Sequence, residues 1–277
     1  MPDGAVGIMP ASDNGARCAS FFMAHDPTST AVIRLLRDAH HNLRPDWYNF
    51  DTITAGAQYR ILHRLCRKWI PAGGRVLDWG PGTGHASVYL TRSGFKVTGY
   101  SLKEGFSFGD LLGAAPYRFV AGEASEPVLL PFEDGEFDAV LSVGVLEHVR
   151  EVGGNEAASL REIYRVLRPG GVMICTYLPN AGSWIEAFVR SRGIGDVHKY
   201  RYTPEEARAM FEDAGFKIER YGRHGILPRN RLAHVLPRKL CDSEGFSRFY
   251  DVLDAAGSVL LPWFVQNHLV VARRPAA

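Results

Sequence analysis

The chain has 277 residues, 46% of them hydrophobic, and a formal net charge of +2. That is enough apolar material for one large core, or for a core with a substantial appendage. So small a charge argues against a dedicated nucleic-acid binder, which carries a strong basic excess, and the scattered Cys18, Cys66, Cys175 and Cys241 show no spacing for a disulfide framework or a zinc site.

The N-terminus lacks a basic stretch followed by a continuous apolar run, so it does not read as a signal peptide. No apolar run reaches the roughly 20 residues needed to cross a bilayer; the best candidate, 259–265, is broken by Pro262. A soluble, cytoplasmic protein is expected. Residues 1–26, rich in Gly, Ala, Ser and Asp without a sustained period, read as a lead-in. A helix is predicted from Thr28 or Ser29 to about 40–42. Trp47, Tyr48 and Phe50 then crowd beside Pro45, and a second helix is predicted over 52–69, where Tyr59, Leu62, Leu65, Cys66 and Trp69 recur at three- and four-residue steps. Together 27–73 are expected to form an N-terminal helical lid or cap.

From Gly74 the texture changes. Short apolar runs at 75–78, 95–100, 117–120, 137–142 and 171–177 alternate with helical stretches at 85–92, 101–112 and 157–167. Strands alternating with helices predict a doubly wound α/β core over 74–277, with a mostly parallel sheet and helices on both faces. Residues 180–202 are an interlude with a short helix at 183–190. Thr203-Pro204-Glu205-Glu206 is a helix start, with threonine as N-cap, proline at N1 and acids in the first turn. Strands follow at 216–221 and 268–272. The stretch between them, about 223–266, is too long for a plain connection; short helices are expected there, on the sheet's carboxyl edge.

The most informative segment is Val76-Leu77-Asp78-Trp79-Gly80-Pro81-Gly82-Thr83-Gly84-His85. An apolar strand ends in an acid, passes three alternating glycines and enters a helix. Glycine permits positive φ and close approach of a ligand, and the helix N-terminus offers free amides to an anion. A dinucleotide fingerprint needs its third glycine at position 85, which is His85.

The G-x-G-x-G pattern after Asp78 resembles motif I of the class I S-adenosylmethionine methyltransferases. Further elements fall in the family's order: Ala121-Gly122-Glu123-Ala124, Leu130-Pro131-Phe132, Phe137-Asp138, Leu146-Glu147-His148-Val149 and Leu167-Arg168-Pro169-Gly170-Gly171. The resemblance implies a seven-stranded Rossmann-like fold, S-adenosyl-L-methionine as cofactor and S-adenosyl-L-homocysteine as product. It places the cofactor against Asp78, Gly80, Gly82, Gly84, Ser101, Leu102, Glu123, Ala124 and Val143. The family's usual ribose-binding acid is replaced by Ser101, with Glu104 as a substitute one turn on; Glu123 stands where an acid accepts from the adenine amino group.

For the chemistry, His148 is the first candidate base, at the carboxyl edge where open α/β sheets bind ligands; free imidazole, with a pKa near 6.5, suits proton removal at neutral pH. Glu147 and His198 are its candidate helpers, although Glu147 and His148 capping the next helix is an equally good reading. Trp47, Tyr48 and Tyr200 are candidate acceptor contacts. Some relatives bind a divalent metal through Glu-x-x-Glu-His in this loop; Gly144 stands at the first glutamate position, so no metal is expected. The acid-free run from Arg220 to Leu240 fits either an anionic acceptor, a peripheral membrane contact near a lipid-linked acceptor, or a plain solvated face. The leading expectation is methyl transfer to a small molecule: a metabolite, sugar or lipid-linked intermediate, with no nucleic acid as partner. The alternatives are a macromolecular acceptor, a cofactor-binding regulator or scaffold without turnover, and a nicotinamide oxidoreductase.

Overall fold

The computed structural model describes residues 26–43, 48–102, 108–195, 197–230 and 232–276. Seven strands form one sheet: β1 (Arg75–Trp79), β2 (Lys96–Ser101), β3 (Tyr117–Ala121), β4 (Phe137–Val143), β5 (Leu167–Pro179), β6 (Lys217–His224) and β7 (Asn267–Arg273). Their order is β3-β2-β1-β4-β5-β7-β6. The first five pair in parallel, and β7 lies antiparallel between β5 and β6. The strand order reverses beside β1, so the carboxyl ends of β1 and β4 flank the crevice where such sheets hold ligands.

Both faces of the sheet are buried, and side-chain alternation assigns each residue to one of two apolar layers. Val76, Ala139, Leu141, Val172 and Ile174 pack with Leu36, Leu62, Leu65 and Val88. Leu77, Val140, Met173 and Cys175 pack with Leu160, Ile163 and Phe211 on the other side. The α-helices among the described residues are α1 (Pro27–Leu43), α2 (Ile53–Gly56), α3 (Arg60–Trp69), α4 (His85–Arg92), α5 (Glu156–Val166), α6 (Trp184–Arg192), α7 (Pro204–Asp213), α8 (Arg238–Cys241) and α9 (Glu244–Leu260), of which α1, α3, α4, α5 and α7 supply these residues. At the start of α7, Thr203 and Glu206 form the reciprocal capping box their spacing allows. Cys66, Cys175 and Cys241 are free, buried thiols; Cys18 lies outside the described residues.

Three expectations are corrected. The helix expected over 52–69 is broken into α2, a 3-10 turn (Ala57–Tyr59) and α3. Gly56 lies at the break, packed so closely on α1 that an added Cβ would come 2.9 Å from Ile33 Cγ2. The helix expected over 101–112 is reduced, among the described residues, to a 3-10 turn at Gly109–Leu111; its glycines disfavour a regular helix. Within 223–266, the largest element is the 17-residue α9 rather than a set of short helices.

The α9 helix is inverted relative to an ordinary core helix. Ser247, Tyr250, Asp254 and Ser258 are buried, while Phe249, Val252, Leu253, Val259 and Leu260 are exposed. Its inward charges are matched by arginines. Arg60 of α3 reaches Asp251 (2.6 Å) and Glu244 (2.8 Å), and Arg229 reaches Asp251 (2.6 Å) and Asp254 (3.3 Å). Further bonds join the two segments: Thr54 Oγ1 donates to Cys241 O (2.7 Å), Ile53 N to Asp242 (3.1 Å), and Gln58 Nε2 to Asn230 (2.8 Å).

Candidate active site

The three glycines after β1 all have positive φ: +71° at Gly80, +56° at Gly82 and +89° at Gly84. Each lies in the left-handed region that disfavours a side chain, which explains the alternation in the sequence. Gly80 N donates to Tyr100 O (2.8 Å), tying the loop to the end of β2, and Gly84 N donates to Pro81 O (2.8 Å) as α4 begins. A Cβ on Gly82 would meet nothing within 4 Å, so the loop opens onto free space there.

That space is a cavity of about 260 Å³ lined by Asp78, Gly80, Gly82 and Thr83 from the loop and Val143 and Gly144 from the end of β4. Asp78 is 1% exposed and accepts a hydrogen bond from Ser87 Oγ (2.6 Å). Burial pushes its carboxyl pKa up to about 6, against the lowering effect of Ser87. Among the described residues no cation pairs with it. A buried carboxylate of this kind gains from an ammonium group beside it, and free amides at the start of α4 suit a carboxylate. The loop therefore fits the amino-acid end of S-adenosylmethionine.

Residues not anticipated from the sequence also line the cavity: Asn49 and Tyr59 from the segment 49–59, His85 from α4 and Tyr177 from β5. Tyr59 stacks on Phe50 (5.3 Å between centroids) and lies 4.1 Å from the His85 ring, while Asn49 donates to Tyr59 Oη (3.0 Å). Phe50 itself is fully buried; Trp47 and the side chain of Tyr48 lie outside the described residues. Tyr177 is the one non-glycine with positive φ (62°) among the described residues. It sits where the β5–β7 register shifts between Thr176 and Leu178, and the bulge places its ring between Tyr59 (5.3 Å) and His224 (5.2 Å). Its hydroxyl donates to Gln58 O (2.9 Å). A bulge arises from pairing with another strand, so no local sequence signal announces it.

Of the cofactor residues expected from the sequence, Asp78, Gly80, Gly82 and Val143 line this cavity, and Gly84 opens α4 behind it. Ser101 ends β2 with Leu102 just after it, and Glu123 and Ala124 are exposed just past β3, along the same carboxyl edge but outside the lining. Glu104 lies outside the described residues.

Beyond Gly144 the chain turns into a 3-10 helix (Leu146–Val152) carrying Glu147 and His148. A Cβ on Gly144 would lie 3.8 Å from Tyr177 Cβ and 3.6 Å from Glu147 Oε1, so Glu147 lies close to a glycine of the cavity lining. Glu147 is 2% exposed, and its Oε1 has no hydrogen-bond partner among the described residues. Burial raises its pKa to about 7, with His148 and His198 pulling the other way. His148 presents Nε2 to Glu147 Oε1 at 3.9 Å and Nδ1 to Glu151 at 3.1 Å.

His198 comes from the loop before α7, and its ring lies 5.8 Å from that of His148. Its Nδ1 is bonded to Glu186 of α6. Burial works against the His198 imidazolium, but Glu186, aided by Glu147 and Glu151, outweighs it, and the pKa is raised. His198, distant in sequence, thus converges on the adjacent Glu147 and His148. Tyr200 is instead held between Arg150 (4.9 Å) and Lys199 (5.2 Å). The basic run of 220–240 is largely engaged within the fold: Arg229 is in the α9 ion pairs, Arg238 bonds Asp51, and Arg223 lies 4.7 Å from the Trp263 ring.

Comparison with known proteins agrees with this geometry. A methyltransferase-domain family profile matches residues 77–175. The demethylmenaquinone methyltransferase of Mycobacterium tuberculosis is 33% identical over 202 residues, spanning 67% of this chain and 82% of that protein. The enzyme of the same name from Corynebacterium kroppenstedtii is 34% identical over 131 residues, 46% and 53% of the two chains. Among solved structures, the methyltransferase in complex with the Haloferax volcanii Trm112 activator superposes with a TM-score of 0.54 at 22% identity, covering 81% of this chain and 93% of that one. Haemonchus contortus phosphoethanolamine N-methyltransferase 2, solved with S-adenosylhomocysteine, gives 0.50 at 20% identity over 76% and 51%. The structural matches bear on the fold, and no helix among the described residues is long and apolar enough to cross a membrane. With its glycine loop, its strand order and its 33% identity to a named relative, the chain belongs to the class I S-adenosylmethionine-dependent methyltransferases.

Proposed function

We propose that this enzyme transfers the methyl group of S-adenosylmethionine to a small, apolar acceptor of quinone type, releasing S-adenosylhomocysteine. The observation that carries the reading is the closeness of Glu147, beside His148, to Gly144 of the cofactor cavity's lining. Bound S-adenosylmethionine supplies an electrophilic methyl carbon on a positively charged sulfur, and the charge disappears as the new bond forms. The protein's task is to exclude water and align the acceptor with that carbon. Tyr59 and Tyr177 make an aromatic wall suited to an apolar ring. His148, oriented by Glu151, accepts the acceptor's proton, and Glu147 and His198 hold the imidazole in place.

The relatives' names support the acceptor class. The exposed apolar stripe of α9, continued by Leu261, Trp263 and Phe264, supports contact with a membrane surface from which such an acceptor is drawn. The reading is tested in two steps. Calorimetry should show tight binding of S-adenosylhomocysteine. Incubation with S-adenosylmethionine and reduced demethylated quinones should then release S-adenosylhomocysteine, and His148→Ala should lose that turnover while keeping cofactor affinity. Binding without turnover on any acceptor would favour a regulatory protein, and full activity of His148→Ala would return that residue to a structural role.

A further inference from the structure

We propose that Glu147, His148 and His198 form a binding site for a divalent first-row transition-metal ion beside the acceptor face of the cofactor cavity. The inference deepens the methyltransferase reading, on which it rests for the site's use but not for its existence.

One ligand atom from each of the three residues lies within 4.8 Å of the others. Two imidazoles and one carboxylate are a donor set that Zn²⁺ and its neighbours in the series accept, with open positions left for an outside oxygen. The carboxylate is prepared for a cation: Glu147 is almost wholly buried, yet its Oε1 lacks any hydrogen-bond donor among the described residues. Leaving a carboxylate oxygen buried and unpaired is costly, and an ion on that oxygen removes the cost.

The surroundings have the features of an outer shell. Metal-bound histidines usually hold a carboxylate or carbonyl on the second ring nitrogen, which fixes the tautomer and the ring orientation. Both histidines here do so, His148 through Nδ1 to Glu151 and His198 through Nδ1 to Glu186. In each ring Nε2 is the nitrogen left to bind, and that of His148 already faces Glu147 at 3.9 Å. Apart from the two imidazoles, the ion pairs of Glu147, Glu151 and Glu186 among the described residues include one cation, the Arg201 guanidinium 3.8 Å from Glu186. That excess of negative charge suits a dication. Gly144, which removes a glutamate from the loop's sequence pattern, does not empty the site, because His198 arrives from another part of the chain.

A bound ion would take an oxygen of the acceptor in an open position and make its O–H more acidic, so that the proton passes to solvent water. In the ion-loaded enzyme His148 would serve as a ligand, and its proton-accepting role would belong to the ion-free state, since one lone pair cannot serve both.

The test uses the full chain, stripped with EDTA and titrated with Co²⁺ followed by visible absorption, and with Zn²⁺ followed by calorimetry. One ion per chain is expected, with the d–d bands of a low-coordinate nitrogen–oxygen site. His198→Ala and Glu147→Gln should abolish the bands, and Glu186→Gln should weaken affinity by about tenfold or more through loss of orientation. His148→Ala, at a half-exposed ring, provides a second ligand deletion that the fold tolerates. The described residues include one other such cluster, His40, His41 and Asp51; His41→Ala should leave the signal unchanged. Retained S-adenosylhomocysteine binding in each variant shows an intact fold and keeps this test separate from that of the methyltransferase reading. Absence of a stoichiometric ion, or bands that survive His198→Ala, would overturn the proposal.

Discussion

Val145 lies directly over Gly80: a β-carbon at Gly80 would come within 2.7 Å of Val145 Cγ2 and 2.8 Å of Cγ1. The loop after β4 is therefore fitted to the glycine turn after β1, and both line or border the same cavity. Gly80→Ala meets two obstacles, the valine and a φ of +71°. It is expected to cost about 2–4 kcal/mol of stability and to weaken S-adenosylhomocysteine binding at least tenfold, read by urea titration and calorimetry. Val145→Ala combined with Gly80→Ala should recover the steric part only.

Tyr177→Phe removes the hydroxyl that donates to Gln58 O while keeping the ring between Tyr59 and His224. Loss of about 1 kcal/mol is expected from the bond, together with a looser hold of Gln58 and its neighbour Tyr59 on β5. A rise in KM for the cofactor with kcat little changed is the kinetic signature, measured by initial rates.

Glu147 gives a pH dependence whose sign follows from its burial. Its pKa is raised from 4.5 to about 7 in the folded protein, so folding is favoured most when the group is protonated. That stability is present below pH 4.5 and is lost as pH rises through about 7. Glu147→Gln carries no charge to bury. In EDTA it should match the wild type near pH 4 and exceed it by on the order of 2 kcal/mol above pH 7. Thermal melts across this range, with identical curves for the two proteins at neutral pH, would show the carboxyl to be well solvated instead.

Arg229 is almost fully buried between Asp251 and Asp254. Arg229→Ala leaves Asp254 without its arginine and Asp251 with Arg60 alone, and a loss of about 3 kcal/mol is expected. Denaturant unfolding checks the magnitude. A loss below about 1 kcal/mol would mean that water reaches the pair.

Much of the core was legible because local and tertiary signals agree there. Asp78 and the three glycines mark a turn that needs positive φ, Thr203 and Glu206 mark a capped helix start, and apolar runs such as 137–142 lie buried on both faces. Where the two kinds of signal part, the sequence misled. α9 turns its apolar residues outward and its aspartates inward, contrary to the rule that apolar periodicity faces the core, because Arg60 and Arg229 come from elsewhere to meet those aspartates. The meeting of His198 with His148 depends on where the loop before α7 falls, and the role of Tyr177 on a bulge opposite β7. Neither leaves a local mark.

The bonds between Arg60, Thr54 and Ile53 near one end of the chain and Asp251, Cys241 and Asp242 near the other have a mechanical consequence. Residues 53–60 and 241–251 are thereby riveted into one unit beside Tyr59 of the cavity lining, so a cut in the chain that frees either segment should loosen the other.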